Sequence, residues 1–94
     1  MSNILKLVLT DHWFEEIKSG RKTHEYRMAT LFWYRRIDFF RDIPDFVEFQ
    51  KAYRKNPERM TFKVKSITYK PTGLKTDLNC QNPVFDIKLG ERVK

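Results

Sequence analysis

Met60 to Lys70 is the segment that most restricts what this chain can become. Phe62 and Val64 fall on one face, and Thr61, Lys63 and Lys65 on the other. That period of two is the signature of a half-buried strand. The alternation then changes phase near Ser66, because Ile67 and Tyr69 lie on the side of the lysines. A flat strand cannot bury both halves of such a pattern on one face. A bulge or bend reconciles them, as happens where a sheet curls toward a barrel.

The other segments are short and fit such a sheet. Ile4 to Thr10 reads as a strand with Leu5, Leu7 and Leu9 on one face. Ile4, Lys6, Val8 and Thr10 lie on the other, and with both faces mostly apolar the pattern predicts an interior strand. Asp11 is placed to cap a helix over His12–Ser19, with Trp13, Phe14 and Ile17 sharing its apolar side. Gly20 stands where a helix ends in the left-handed conformation. Lys22 to Arg27 alternates as a strand, with Thr23, Glu25 and Arg27 on one face and His24 and Tyr26 on the other. Thr30 to Phe40 carries Phe32, Trp33, Tyr34, Arg35, Arg36, Phe39 and Phe40, and reads either as a short helix capped by Thr30 or as irregular chain. Phe46 to Gln50 and Val84 to Leu89 read as strands, the latter with Phe85, Ile87 and Leu89 inward. Pro71 to Pro83 reads as a loop. Five short strands with one or two short helices predict a single α+β domain over residues 1–94, mostly antiparallel and built as a partly closed barrel.

Composition excludes several classes. Fourteen aromatic side chains in 94 residues are incompatible with an intrinsically disordered chain. No run approaches the roughly 20 apolar residues of a membrane span, and no membrane partner is expected. Met1 to Thr10 has no charged start followed by a long apolar run, so no secretory leader is expected. One cysteine, Cys80, cannot form an intrachain disulfide, which suits a reducing cytoplasm. With only His12 and His24 besides, no metal site and no cofactor are expected.

The net charge is +7, and it is uneven. Between Lys51 and Lys70 stand Lys51, Arg54, Lys55, Arg59, Lys63, Lys65 and Lys70 against Glu58 alone. A field of this sign attracts polyanions. It is equally what a solvated sheet face kept basic against edge pairing looks like.

The segment Ser19-Gly20-Arg21-Lys22-Thr23-His24-Glu25-Tyr26-Arg27 concentrates the chemistry. A Lys and an Arg flanking a Glu across a cleft could hold a phosphate or carboxylate, with Glu25 orienting Arg27 or accepting from a base edge. The plain structural alternative is an ion pair, worth little where exposed. Trp33 and Tyr34 beside Arg35 and Arg36 suit base stacking with phosphate contact, or else an aromatic cluster closing a small core.

Together with Leu5-Lys6-Leu7 and Trp13-Phe14, this segment resembles the ASCH family of the PUA-like superfamily, matching its helix, glycine turn, lysine and threonine, and strand ending in arginine at Gly20, Lys22, Thr23 and Arg27. Glu25-Tyr26-Arg27, Trp33-Tyr34-Arg35-Arg36 and the ending Pro83 to Gly90 are similar to the short phage and bacterial members. The resemblance implies a PUA-like five-stranded barrel with a cleft beside the first helix, and RNA as the partner. Some members resemble amidohydrolases that deacylate modified cytidine nucleosides with a lysine, a threonine and a carboxylate. Lys22 matches that lysine, but Glu25 stands where the nucleophilic threonine would be.

Three functions therefore compete. The first is a nucleic-acid-binding module using Lys22, Thr23, Glu25, Arg27, Trp33, Tyr34, Arg35 and Arg36, flanked by Lys51, Arg54, Lys55, Arg59, Lys63 and Lys65. The second is a small amidohydrolase acting on an acylated nucleoside, with Lys22 and Glu25 as its catalytic pair. The third is an inhibitor or regulator that binds another protein.

Overall fold

A computed structural model of the chain describes residues 4–37 and 43–94. The elements run β1 (Ile4–Leu9), α1 (Asp11–Lys18), β2 (His24–Met28), α2 (Leu31–Ile37), β3 (Phe46–Lys51), β4 (Arg59–Lys70) and β5 (Val84–Arg92). The five strands form one sheet in the order β1-β3-β4-β5-β2. β1 lies parallel to β3, and the remaining pairs are antiparallel. The sheet curls into a half-barrel.

The expected phase change in β4 is present. Its pairing with β5 slips in register between Phe62 and Val64 and again between Val64 and Ser66. Met60, Phe62 and then Ile67 consequently all reach the interior. They join Leu5, Leu7 and Leu9 of β1, Val47 and Phe49 of β3, and Phe85, Ile87 and Leu89 of β5 in one core. α1 closes one side of this core with Phe14 and Ile17, both buried.

Two local expectations need correction. β1 is an edge strand, not an interior one: it pairs only with β3. Its second face is apolar in part because Val8 lines a cleft. Asp11 is not the cap of α1 but its first residue. Thr10 holds the capping position with no side-chain hydrogen bond, and the Asp11 carboxylate instead pairs with Arg54. At the other end, Gly20 has φ +86°, and the turn it makes lets the Lys22 amide donate to the Glu16 carbonyl at 3.1 Å. That return leads into β2. The Thr30 region is helical over Leu31–Ile37. Phe39 and Phe40, and the side chains of Tyr34 and Arg36, lie outside the described residues.

Candidate functional site

The half-barrel leaves two free edges, β1 and β2, and they face each other across a cleft of about 340 Å³. That is the lower end of small-ligand pockets. Val8, Leu9 and Thr10 form one bank, and Glu25 to Met28 the other. Trp13 of α1, Trp33 of α2, and Asp77 and Leu78 of the β4–β5 loop complete it. A second recess of about 360 Å³, lined by His12, Arg21, Thr23 and His24, shares Trp13, Lys22, Tyr26 and Asp77 with the first.

The charged groups that the sequence places on one strand face converge here. Glu25 is 5% exposed. One of its carboxylate oxygens lies 3.1 Å from Lys22 Nζ, and the other lies 2.8 Å from Arg27 Nη2. The same Arg27 nitrogen donates to the Val8 carbonyl at 3.1 Å, so the guanidinium spans the seam between the edge strands. Arg27 Nε is buried and has no partner among the described residues. Lys22 Nζ stands 4.3 Å from the Trp13 ring centre and also pairs with the Asp77 carboxylate. Arg27 lies 5.2 Å from the Trp33 ring centre. Two cations, two carboxylates and three aromatic side chains thus share one small space, with no net formal charge. The phenol of Tyr26 is held above its ordinary pKa by burial first, then by the carboxylates of Asp86 and Asp77.

Behind Tyr26, His24 Nδ1 lies 2.6 Å from Asp86 Oδ1, and Lys70 Nζ lies 3.3 Å from the other oxygen of that buried carboxylate. Thr23 is exposed at the rim of the second recess, and Arg35 is exposed on α2.

The basic stretch is distributed differently. Lys51 and Arg54 pair with Glu15 and Asp11 on the side of α1 that faces away from Trp13. Arg59 pairs with Glu48 at 3.4 Å, and Lys63 with Glu91 at 2.8 Å. Lys55 and Lys65 have no ion-pair partner among the described residues. None of these six lines the cleft.

Three wall groups escaped the sequence reading. Trp13 reads as core because it shares the apolar side of the helix, and Tyr26 stands on the strand face opposite Glu25; each is only half-buried. Asp77 gives no signal at all: it meets Lys22 through the path of a loop 55 positions downstream. Among the described residues no group of histidine, cysteine or carboxylate side chains could hold a metal ion. No protein-family model and no curated protein matches the chain.

Proposed function

We propose that this chain is an ASCH-type, PUA-like module that binds RNA in the cytoplasm by seating one unpaired base in the seam between β1 and β2. The observation that carries the reading is the composition of the cleft. Its aromatic walls and balanced charge suit a flat, uncharged ring better than a bare phosphate. Trp13 and Trp33 offer stacking surfaces. Glu25 and Asp77 are acceptors for the amino groups of a base edge, while Lys22 and Arg27 supply donors to its carbonyls. The exposed cations Arg35, Lys55 and Lys65 supply the unspecific attraction to phosphate.

The chain has only two tryptophans, and both line the cleft. Intrinsic fluorescence is therefore a direct probe of occupancy. Titration with single-stranded RNA is expected to quench it saturably, with an affinity that falls as salt rises. Trp33→Ala is expected to weaken binding by about 5- to 150-fold, the value of one stacked base. Binding indifferent to Trp33→Ala, or displaced equally well by heparin at every salt concentration, refutes the reading.

One observation favours the amidohydrolase alternative. Lys22 sits between Glu25 and Asp77 beside Trp13. In that reading Lys22 and a carboxylate would handle the protons of deacylation. Incubation with a panel of N-acylated nucleosides tests it: release of acid abolished by Lys22→Ala supports it, and turnover that survives this change excludes the site.

A further inference from the structure

The outer face of the sheet presents a second concavity, separate from the seam. The strand registers place Ile4, Phe46 and Lys63 in one row, and Lys6, Glu48 and Thr61 in the next. The tail after β5 folds back beside them, with the Val93 amide donating to the Thr61 carbonyl at 2.8 Å. The resulting groove, about 490 Å³, is larger than the cleft. It continues at one end into a depression beside Lys6 and Gln50, and at the other into one beside Lys63 and Lys65. The line of depressions follows β3 from Gln50 to Asp45, roughly 17 Å at strand spacing.

The floor is apolar. Ile4 is 47% exposed and Val93 41%, with a half-buried Phe46 between the rows. The surround is net cationic: Arg59 and Lys94 line the groove and Lys6, Lys63 and Lys65 the depressions that continue it, against Glu48, Asp45 and Glu91, of which Glu48 and Glu91 are tied to Arg59 and Lys63. A nucleic acid is the poorer occupant. The floor offers no fully exposed ring for a base: the one aromatic side chain lining it, Phe46, is half-buried. A segment with apolar side chains between acidic ones meets both floor and rim.

We propose that this groove docks an extended acidic-apolar segment of a partner protein, about five residues of it in contact. The apolar side chains sit on Ile4, Phe46 and Val93, and the carboxylates face Lys6 and Lys94. The inference is independent of the base-binding cleft.

The probe is a fluorescein-labelled peptide of about ten residues alternating aspartate with leucine, followed by fluorescence anisotropy against the whole chain. The expected result is saturable binding, at least about tenfold weaker for Val93→Asp and for Ile4→Asp. Lys6→Glu should weaken it too, while thermal melts stay within a few degrees of the parent. The lysine-leucine counterpart should not bind. No saturable binding, equal binding of the lysine peptide, or indifference to all three substitutions overturns the proposal. Displacement of the peptide by single-stranded RNA that survives Trp33→Ala also overturns it, by assigning the groove to nucleic acid. Loss of RNA binding with peptide binding intact refutes only the cleft reading.

Discussion

Glu25→Gln perturbs fold and cleft together, and the size of the effect follows from the contacts. The carboxylate is 5% exposed and receives Lys22 at 3.1 Å and Arg27 at 2.8 Å. Removing one partner of a buried ion pair costs about 3–5 kcal/mol, because the remaining charge stays buried. Two features reduce that figure here. The Lys22 and Arg27 side chains are 11% and 21% exposed, and Lys22 keeps Asp77. Arg27 keeps only the Val8 carbonyl, and its Nε already lacks a partner. A loss of about 2–3 kcal/mol is therefore expected. For a domain of this size that is a fall in Tm on the order of 10 °C or more. Urea unfolding of Glu25→Gln, Arg27→Gln and the double variant gives the coupling directly. The pair is expected to cost less together than the sum of the two singles. A Tm fall below about 2 °C, or strict additivity, would refute the claim that Glu25 holds the seam. The cleft should change as well: it becomes net positive, so RNA base capture should weaken while inorganic phosphate gains affinity.

Three other perturbations isolate single causes. At Gly20, φ is +86° and nothing lies within 4 Å of an added Cβ, so Gly20→Ala meets backbone strain alone. Its expected cost is about 1–2 kcal/mol by urea titration, with the cleft fluorescence unchanged. Gly73→Ala has the opposite cause: its Cβ would fall 2.8 Å from Val84 Cγ1 and 3.0 Å from Cys80 Sγ. Val84 is wholly buried and cannot retreat, so a loss of about 1–3 kcal/mol is expected. A shift in tryptophan emission should accompany it, because the same loop carries Asp77. The raised pKa of Tyr26 has a defined sign. The unfolded phenol loses its proton first, near pH 10, so this contribution is intact below that pH and lost as pH rises toward the folded value. Melting curves between about pH 8 and 11 should fall less steeply for Tyr26→Phe than for the parent.

The parts of the fold that rest on local patterns could be read from the chain. The phase change of β4 is written in its side chains, because a strand must present apolar groups to one face. Gly20 is the residue that tolerates a positive φ. Glu25 and Arg27 stand two apart, so they share a strand face and meet. What could not be read depends on partners distant in sequence. The apolar second face of β1 signifies a cleft wall at an edge, a distinction that only the path of β2 reveals. Asp11 has the right chemistry for a cap, but Arg54, 43 positions away, takes its carboxylate. The excess of positive charge reads as one basic patch, whereas folding sets Glu15, Asp11, Glu48 and Glu91 against four of its members.

The location of the cleft follows from the topology. A sheet of five strands that curls without closing must leave two edges, and their backbone groups require partners. β1 and β2 are not paired, and an arginine side chain bridges the seam in place of a ladder by donating to the Val8 carbonyl. A guanidinium brought under Trp33 needs a counter-charge, which Glu25 provides. A buried carboxylate with two oxygens then recruits the second cation, Lys22, and Lys22 recruits Asp77. The polar lining of the cleft is thus the means by which the open barrel is held together. A ligand that enters must compete with structural contacts or use the donor they leave over, Arg27 Nε. It follows that substitutions in this seam should change stability and binding in the same variants. Substitutions at Ile4 or Val93 on the outer face should leave both stability and RNA binding near the parent values.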